Sequence, residues 1–363
     1  MIEDTDIEGP AVLDTTRRGA SLRSGSATIQ DVARAAGVST STVSNVINDQ
    51  PHVKDATRAK VVSAMEQLDY RVNVAARNLR AGRTGTIGLG VPEIDRPYFG
   101  NLAARIISAA AKHRLNVVIE QTGATRESEL KALALSRNRF YDGLILSTVR
   151  LAREDVDKLA LEHPVVILGE QITNGPLDHV ALPNAAGARA AIEHLLARGC
   201  RRIAIIDSGH TVEDDGPDVS SLRRSGYCDA LASAGIAFDP DLAVSVQEFT
   251  MQDGHDAIRR LVHRGIEFDG VFCVTDTVAM GALRALATAG IRVPDAVKVI
   301  GFDDVPESAF LVPSLTSVAP DHAFTAEIAL DMLVARLRGG GTTAMPPREA
   351  TSPFTIMNRE STG

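Results

Sequence analysis

Between residues 39 and 48 the chain sets Ser39, Thr40, Ser41, Thr42, Ser44, Asn45 and Asn48 in one short stretch without a Lys or Arg. Hydroxyl and amide side chains of this length hydrogen-bond base edges and phosphate oxygens when their backbone can approach a duplex closely. Spacing decides whether they act together. Val43, Val46 and Ile47 stand at i, i+3, i+4, while Ser41, Ser44, Asn45 and Asn48 stand at i, i+3, i+4, i+7. A helix here has one apolar and one polar face. Ser, Thr and Asn are poor helix formers, so their gathering on one face points to a contact. An ordinary solvated helix face is the alternative, and the flanking segments decide between the two.

Elsewhere, the residue types that do chemistry are present but wrongly spaced. His194, His210, His255 and His263 lack metal-ligand spacing, and Asp303–Asp304 are neighbours whose side chains diverge. Gly88 and Gly90 begin a dinucleotide fingerprint, but Pro92 and Glu93 follow where a third glycine and a helix start are needed. No phosphate-binding Walker loop and no nucleophile elbow occur. The expectation is no enzyme, no catalytic residue, no cofactor and no metal. Cys200, Cys228 and Cys273 are too scattered for a disulfide framework and read as free thiols of a reducing compartment.

The elements that position the polar stretch are legible on both sides. Thr28 and Asp31 resemble a capping box opening an amphipathic run of Ile29, Val32, Ala33 and Ala36, which Gly37 ends. Ser39 then caps the helix that carries the polar stretch. A third helix starts near Asp55 with Val61, Met65 and Leu68 as its apolar stripe. Two short helices joined at a glycine, with a third as support, make a helix-turn-helix whose second helix enters a DNA major groove. From Ala27 to Arg83 eight basic residues face five acidic ones, a net +3, which leaves −11 of the total −8 to the rest. Leu79, set among Arg77, Arg80 and Arg83, suits an apolar wedge in a minor groove better than a solvated linker.

The rest of the chain alternates apolar strands with helical stretches. "TIGLGV" (86–91), "NVVIE" (116–120), "GLILS" (143–147) and "VVILG" (165–169) read as buried parallel strands. "YDGLILST" at 141 returns as "FDGVFCVT" at 268, and "VVILGE" as "VKVIGFDD". Two similar doubly wound lobes follow, with a ligand cleft at the carboxyl ends of their strands. With 363 residues, 44% of them hydrophobic and 23% charged, the chain has ample core. No apolar run is long enough to span a membrane. Residues 1–26 lack an apolar signal region and read as a disordered tail, so the expected compartment is the cytoplasm.

"TIQDVARAAGVSTSTVSNVIN" resembles the DNA-binding headpiece of the lac repressor (LacI/GalR) family, with "MEQLDY" (65–70) ending its third helix and "NVAARNLRAGRTGTIG" (73–88) matching its hinge. The resemblance implies a headpiece at 27–72, a hinge helix at 73–83 and a periplasmic-binding-protein-like α/β core at 84–358. In that core the first lobe takes about 84–182 plus 320–340, and the second 183–312 plus 350–358. By position, Thr40, Ser41, Asn45 and His52 face base edges, and Thr28, Ser39, Thr42, Ser44, Asn48 and Thr57 hold phosphates. Ala76 and Leu79 act from the hinge. The cleft takes Tyr98, Phe99, Ser147, Arg223, Phe249, Thr275, Asp276 and Asp303, an aromatic, Arg and Asp set suited to a sugar. The implied protein is an operator-binding transcription regulator, a homodimer and repressor answering a small molecule, with no membrane partner. The alternative is a solute-binding protein with no DNA role. Three positions depart from the family: Asn45 stands where several members have Arg, Lys54 replaces a usual Ser or Thr helix cap and trades capping for phosphate contact, and Gly169 stands where members often have a ligand-bonding Asp, with Glu170 beside it.

Overall fold

The computed structural model describes residues 27–47, 50–71, 83–137, 140–157, 163–172, 175–212, 217–339 and 345–363. Asn48, Ala76, Leu79 and the expected tail lie outside these residues. The chain divides into two compact units, one ending at Arg77 and the other beginning at Asn78.

Among the described residues the first unit has three helices, α1 (Ile29–Ala36), α2 (Thr40–Ile47) and α3 (Asp55–Gln67). The capping box forms as expected: Asp31 donates its backbone N–H to the Thr28 hydroxyl and its carboxylate accepts from the Thr28 N–H. Gly37 ends α1 at φ 67°, a left-handed conformation that costs glycine nothing. The Ser39 hydroxyl then accepts from Thr42 N–H at the start of α2. Val32, Ala33, Val43, Val46, Val61 and Ala64 make the core. The expected stripe on α3 is corrected at one position. Leu68 is exposed and Ala64 is buried, because α3 ends at Gln67 and the chain turns away before Leu68 can reach the core.

The second unit holds two sheets. The first lobe contains β1 (Thr86–Val91), β2 (Asn116–Gln121), β3 (Gly143–Ser147), β4 (Val165–Leu168) and β5 (Asp178–Ala181). The second contains β6 (Ile203–Asp207), β7 (Ala243–Ser245), β8 (Gly270–Cys273), β9 (Lys298–Phe302) and β10 (Thr316–Pro320). Both run in the order 2-1-3-4-5, all pairs parallel. β11 (Glu349–Thr351) extends the first sheet, and β12 (Phe354–Met357) pairs antiparallel with β10 in the second. Residues 350–351 therefore belong to the first sheet rather than the second lobe, since so short a strand shows no pattern of its own. Apolar clusters cover both faces of each sheet, as a doubly wound fold requires. β2 is not buried as read: it is an edge strand with Val118 and Ile119 exposed.

The repeated aromatic-Asp-Gly has a physical role. Asp142 accepts the Thr84 and Gly85 N–H groups, and Asp269 those of Arg201 and Arg202. Each carboxylate fastens the chain entering the first strand of its lobe. Three crossovers join the lobes, and they are laced together. Asp321 N–H donates to the Pro353 carbonyl at 2.8 Å, and Ser352 N–H to that of Ala181 at 3.0 Å. Among the described residues, no helix is long and apolar enough to cross a membrane.

Candidate functional sites

On α2 the short polar residues form a connected, largely exposed surface. The Ser39 hydroxyl lies 2.7 Å from that of Ser41 and 2.8 Å from that of Thr42, with Thr40 exposed beside them. Asn45 Nδ2 and His52 Nε2 come within 3.4 Å, so two side chains expected at base edges share one spot. Ser44 is half-buried on the same helix, and Thr57 sits half-buried in the first turn of α3. Thr28 is committed to its cap, its hydroxyl donating to Asp31 at 2.6 Å. Lys54 begins α3 without a side-chain cap, which leaves its ammonium outside the helix.

In both lobes the strand order reverses between the first and third strands, and the carboxyl ends there open on a common cleft of about 230 Å³. From the first lobe it is lined by Glu93, Arg96, Tyr98, Phe99 and Arg150, and from the second by Arg223, Gln247, Phe249, Thr275 and Asp303. Tyr98 and Phe99 stand edge to face at 4.9 Å in the first turn of helix Pro97–Lys112. Burial, with the Asp303 carboxylate adding to it, raises the Tyr98 phenol above its ordinary value. Phe249 has φ 54° and Asp303 φ 110°, backbone conformations that are uncommon for residues other than glycine.

Arg223 is almost fully buried and organises the floor. Its guanidinium lies 3.5 Å over the Phe302 ring, Nε donates to Asn184 at 2.8 Å, and the remaining nitrogens reach the Val274 carbonyl and Asp303 Oδ1. His322 holds the Asp303 main chain through its carbonyl at 2.5 Å. Burial raises the Asp303 carboxyl, and the facing Arg223 opposes that shift. A fixed fork beside a carboxylate, walled by aromatic rings, is built for vicinal hydroxyls on a ring with an apolar face.

Two expected residues are not in this cleft. Asp276 is wholly buried behind it, accepting from Val305 N–H, the Ser308 hydroxyl and the Ser317 hydroxyl, so its carboxylate is consumed by the fold. Ser147 is still inside β3, one residue short of the open strand end. Thr148, Val149 and Arg150 take that place, continuing the wall with Glu170, Gln171, Ser208 and His210. Their signal was positional, since each group follows directly on an apolar strand. Glu129 had no signal: from inside helix Arg126–Arg137 it accepts the N–H groups of Val149, Arg150 and Leu151 and fixes that wall.

The departure at residue 169 has a steric cause. Gly169 has φ 148°, and a Cβ there would stand 2.5 Å from Thr148 Oγ1 and 2.6 Å from its carbonyl oxygen. No side chain fits. Glu170 instead lines the cleft, its carboxyl raised by burial.

Comparison with known proteins gives the same two parts. Residues 28–73 match the model of bacterial regulatory proteins, lacI family, and residues 192–362 that of a periplasmic binding protein-like domain. The chain is 35% identical to the ribose operon repressor of Halalkalibacterium halodurans over 291 residues, 80% of this chain and 84% of that one. It is similar to the lac repressor dimer bound to operator and the anti-inducer ONPF, with 25% identity, TM-score 0.78 and coverage of 93% and 99%. It is also similar to the transcriptional regulator CelR in complex with cellobiose, with 28% identity, TM-score 0.66 and coverage of 92% and 99%.

Proposed function

The chain belongs to the lacI family of bacterial regulatory proteins, and from that premise we propose how its two units divide the work of a transcriptional repressor. Residues 27–72 bind operator DNA, 73–83 serve as the hinge, and 84–358 bind a saccharide effector and pair two chains. The observation that carries this is the coexistence, on one chain, of an exposed hydroxyl-amide helix face and a cleft floored by Arg223 and Asp303. A solute-binding protein needs only the second.

Thr40, Ser41, Asn45 and His52 read bases, and Ser39, Thr42, Ser44, Asn48 and Thr57 hold the backbone. Asn45, steadied by His52, pairs bidentately with adenine N6 and N7, where an Arg would favour guanine. Ala76 and Leu79 enter the minor groove between the half-sites. In the cleft, the ring stacks on Phe249 and Tyr98 while Arg223 and Asp303 take adjacent hydroxyls. The lobes turn about the laced crossovers, and the saccharide shifts operator affinity by binding one lobe arrangement better than the other. The DNA it governs places it in the cytoplasm, and we assign it no catalysis.

A gel-shift titration of a selected palindromic operator with the full-length dimer tests both halves together. Specific binding altered by a saccharide is the expected result. Specific binding that no saccharide alters would remove the effector half and leave the DNA half standing.

A further inference from the structure

Beyond the floor formed by Arg223 and Asp303, the cleft continues into a second compartment lined by Thr148, Glu170, Gln171, Ser208, His210 and Asp218. The two compartments share Val149, Arg150, Val219, Gln247 and Phe249, so they are one continuous groove. Two of its polar groups are buried and under-satisfied. Thr148 is 6% exposed, and its hydroxyl has no hydrogen-bond partner among the described residues. Glu170 is equally buried, has no ion-pair partner among the described residues, and accepts a long 3.4 Å bond from Leu182 N–H beside the Asn184 amide. Buried polar atoms left in this state cost stability unless something supplies the missing bonds. Gly169 leaves the Thr148 hydroxyl open to the groove, because a side chain at 169 would occupy the space against it.

We propose that this compartment is a second saccharide subsite, so that the effector is a disaccharide: one ring lies over Arg223 and Asp303, the other between Thr148, Glu170 and His210. This rests on the saccharide reading of the first compartment and extends it. A second ring brings hydroxyls that both donate and accept, which is what the Thr148 hydroxyl, the Glu170 carboxyl and the Gln171 amide require. Phe249, common to both compartments, gives the linked rings one apolar wall.

The test is calorimetry on the full-length protein with glucose and galactose against cellobiose, maltose and lactose, repeated with Glu170→Gln and His210→Ala. A disaccharide should bind at least about tenfold more tightly than its component monosaccharide. Glu170→Gln should lower disaccharide affinity about tenfold and leave monosaccharide affinity unchanged. His210→Ala, at a more exposed position, gives the same readout should Glu170→Gln fold poorly. Monosaccharides bound as tightly as disaccharides, or both variants weakening the two classes equally, would overturn the second subsite alone. If neither class binds, the saccharide reading itself falls, and the subsite with it.

Discussion

Asp303 and Asp276 are both acids at the carboxyl ends of strands in the second lobe, and only one faces ligand space. From the sequence both suit the cleft. Their fates differ because Asp276 opens a helix where the Val305 N–H and the hydroxyls of Ser308 and Ser317 all converge on it, whereas Asp303 is held by its own main chain and one arginine. Tertiary donors of that kind leave no local pattern to read. Asp303→Ala should therefore cost about ten- to a hundredfold in saccharide affinity by calorimetry, with operator binding in the absence of ligand unchanged. Unchanged affinity would take Asp303 out of the site. Asp276 carries a different expectation. Burial, with Asp303 nearby, pushes its carboxyl up to about 8 from an ordinary 3.8. Between those values the folded chain holds a proton that the unfolded chain releases, so this group favours folding more as pH falls through that window. The stability of the wild type relative to Asp276→Asn should rise from pH 8 towards pH 4 in paired thermal melts. A pH-independent difference would show that the carboxyl stays ionised.

At the scale of elements, the alternation of strands and helices and the repeat at 141 and 268 were readable because each apolar run carries its own period and boundary signals. Partners that tie distant elements together were not. Asp178 on β5 is fully buried and binds Arg336, in helix His322–Gly339, through two bonds of 2.7 and 2.6 Å; Arg348 adds another at 2.6 Å. Burial alone would raise the Asp178 carboxyl, but the two arginines bring it below its ordinary value. Sequence distances of 158 and 170 residues hide this knot. It hangs the long helix and β11 on the first sheet. Arg336→Met should leave a buried carboxylate half-matched and destabilise the second unit by about 3–5 kcal/mol in denaturant unfolding. A loss below about 1 kcal/mol would mean that Arg348 alone satisfies Asp178.

The whole molecule joins a small basic unit to a large acidic one, an asymmetry legible in the sequence as +3 over residues 27–83 against −9 over residues 84–363. Each part has its own core. Six buried residues close the helical unit, and four clusters cover both faces of the two sheets. A chain cut before Thr84 should therefore still fold, melt cooperatively and bind its saccharide. It should lose specific operator binding entirely. The reason lies in how affinity is assembled. One small headpiece makes few base contacts, and its phosphate contacts carry no sequence information. Two headpieces held on one dimer engage two half-sites about one helical turn apart, and the second engagement is intramolecular. An isolated headpiece, residues 27–83, should accordingly bind operator weakly, with a marked salt dependence and little preference over random DNA. Gel-shift titrations of the intact dimer, the body and the headpiece at two salt concentrations separate these terms. Operator specificity retained by the truncated body would place the DNA site outside residues 27–83. Specificity retained in full by the single headpiece would show that pairing of chains adds nothing to recognition.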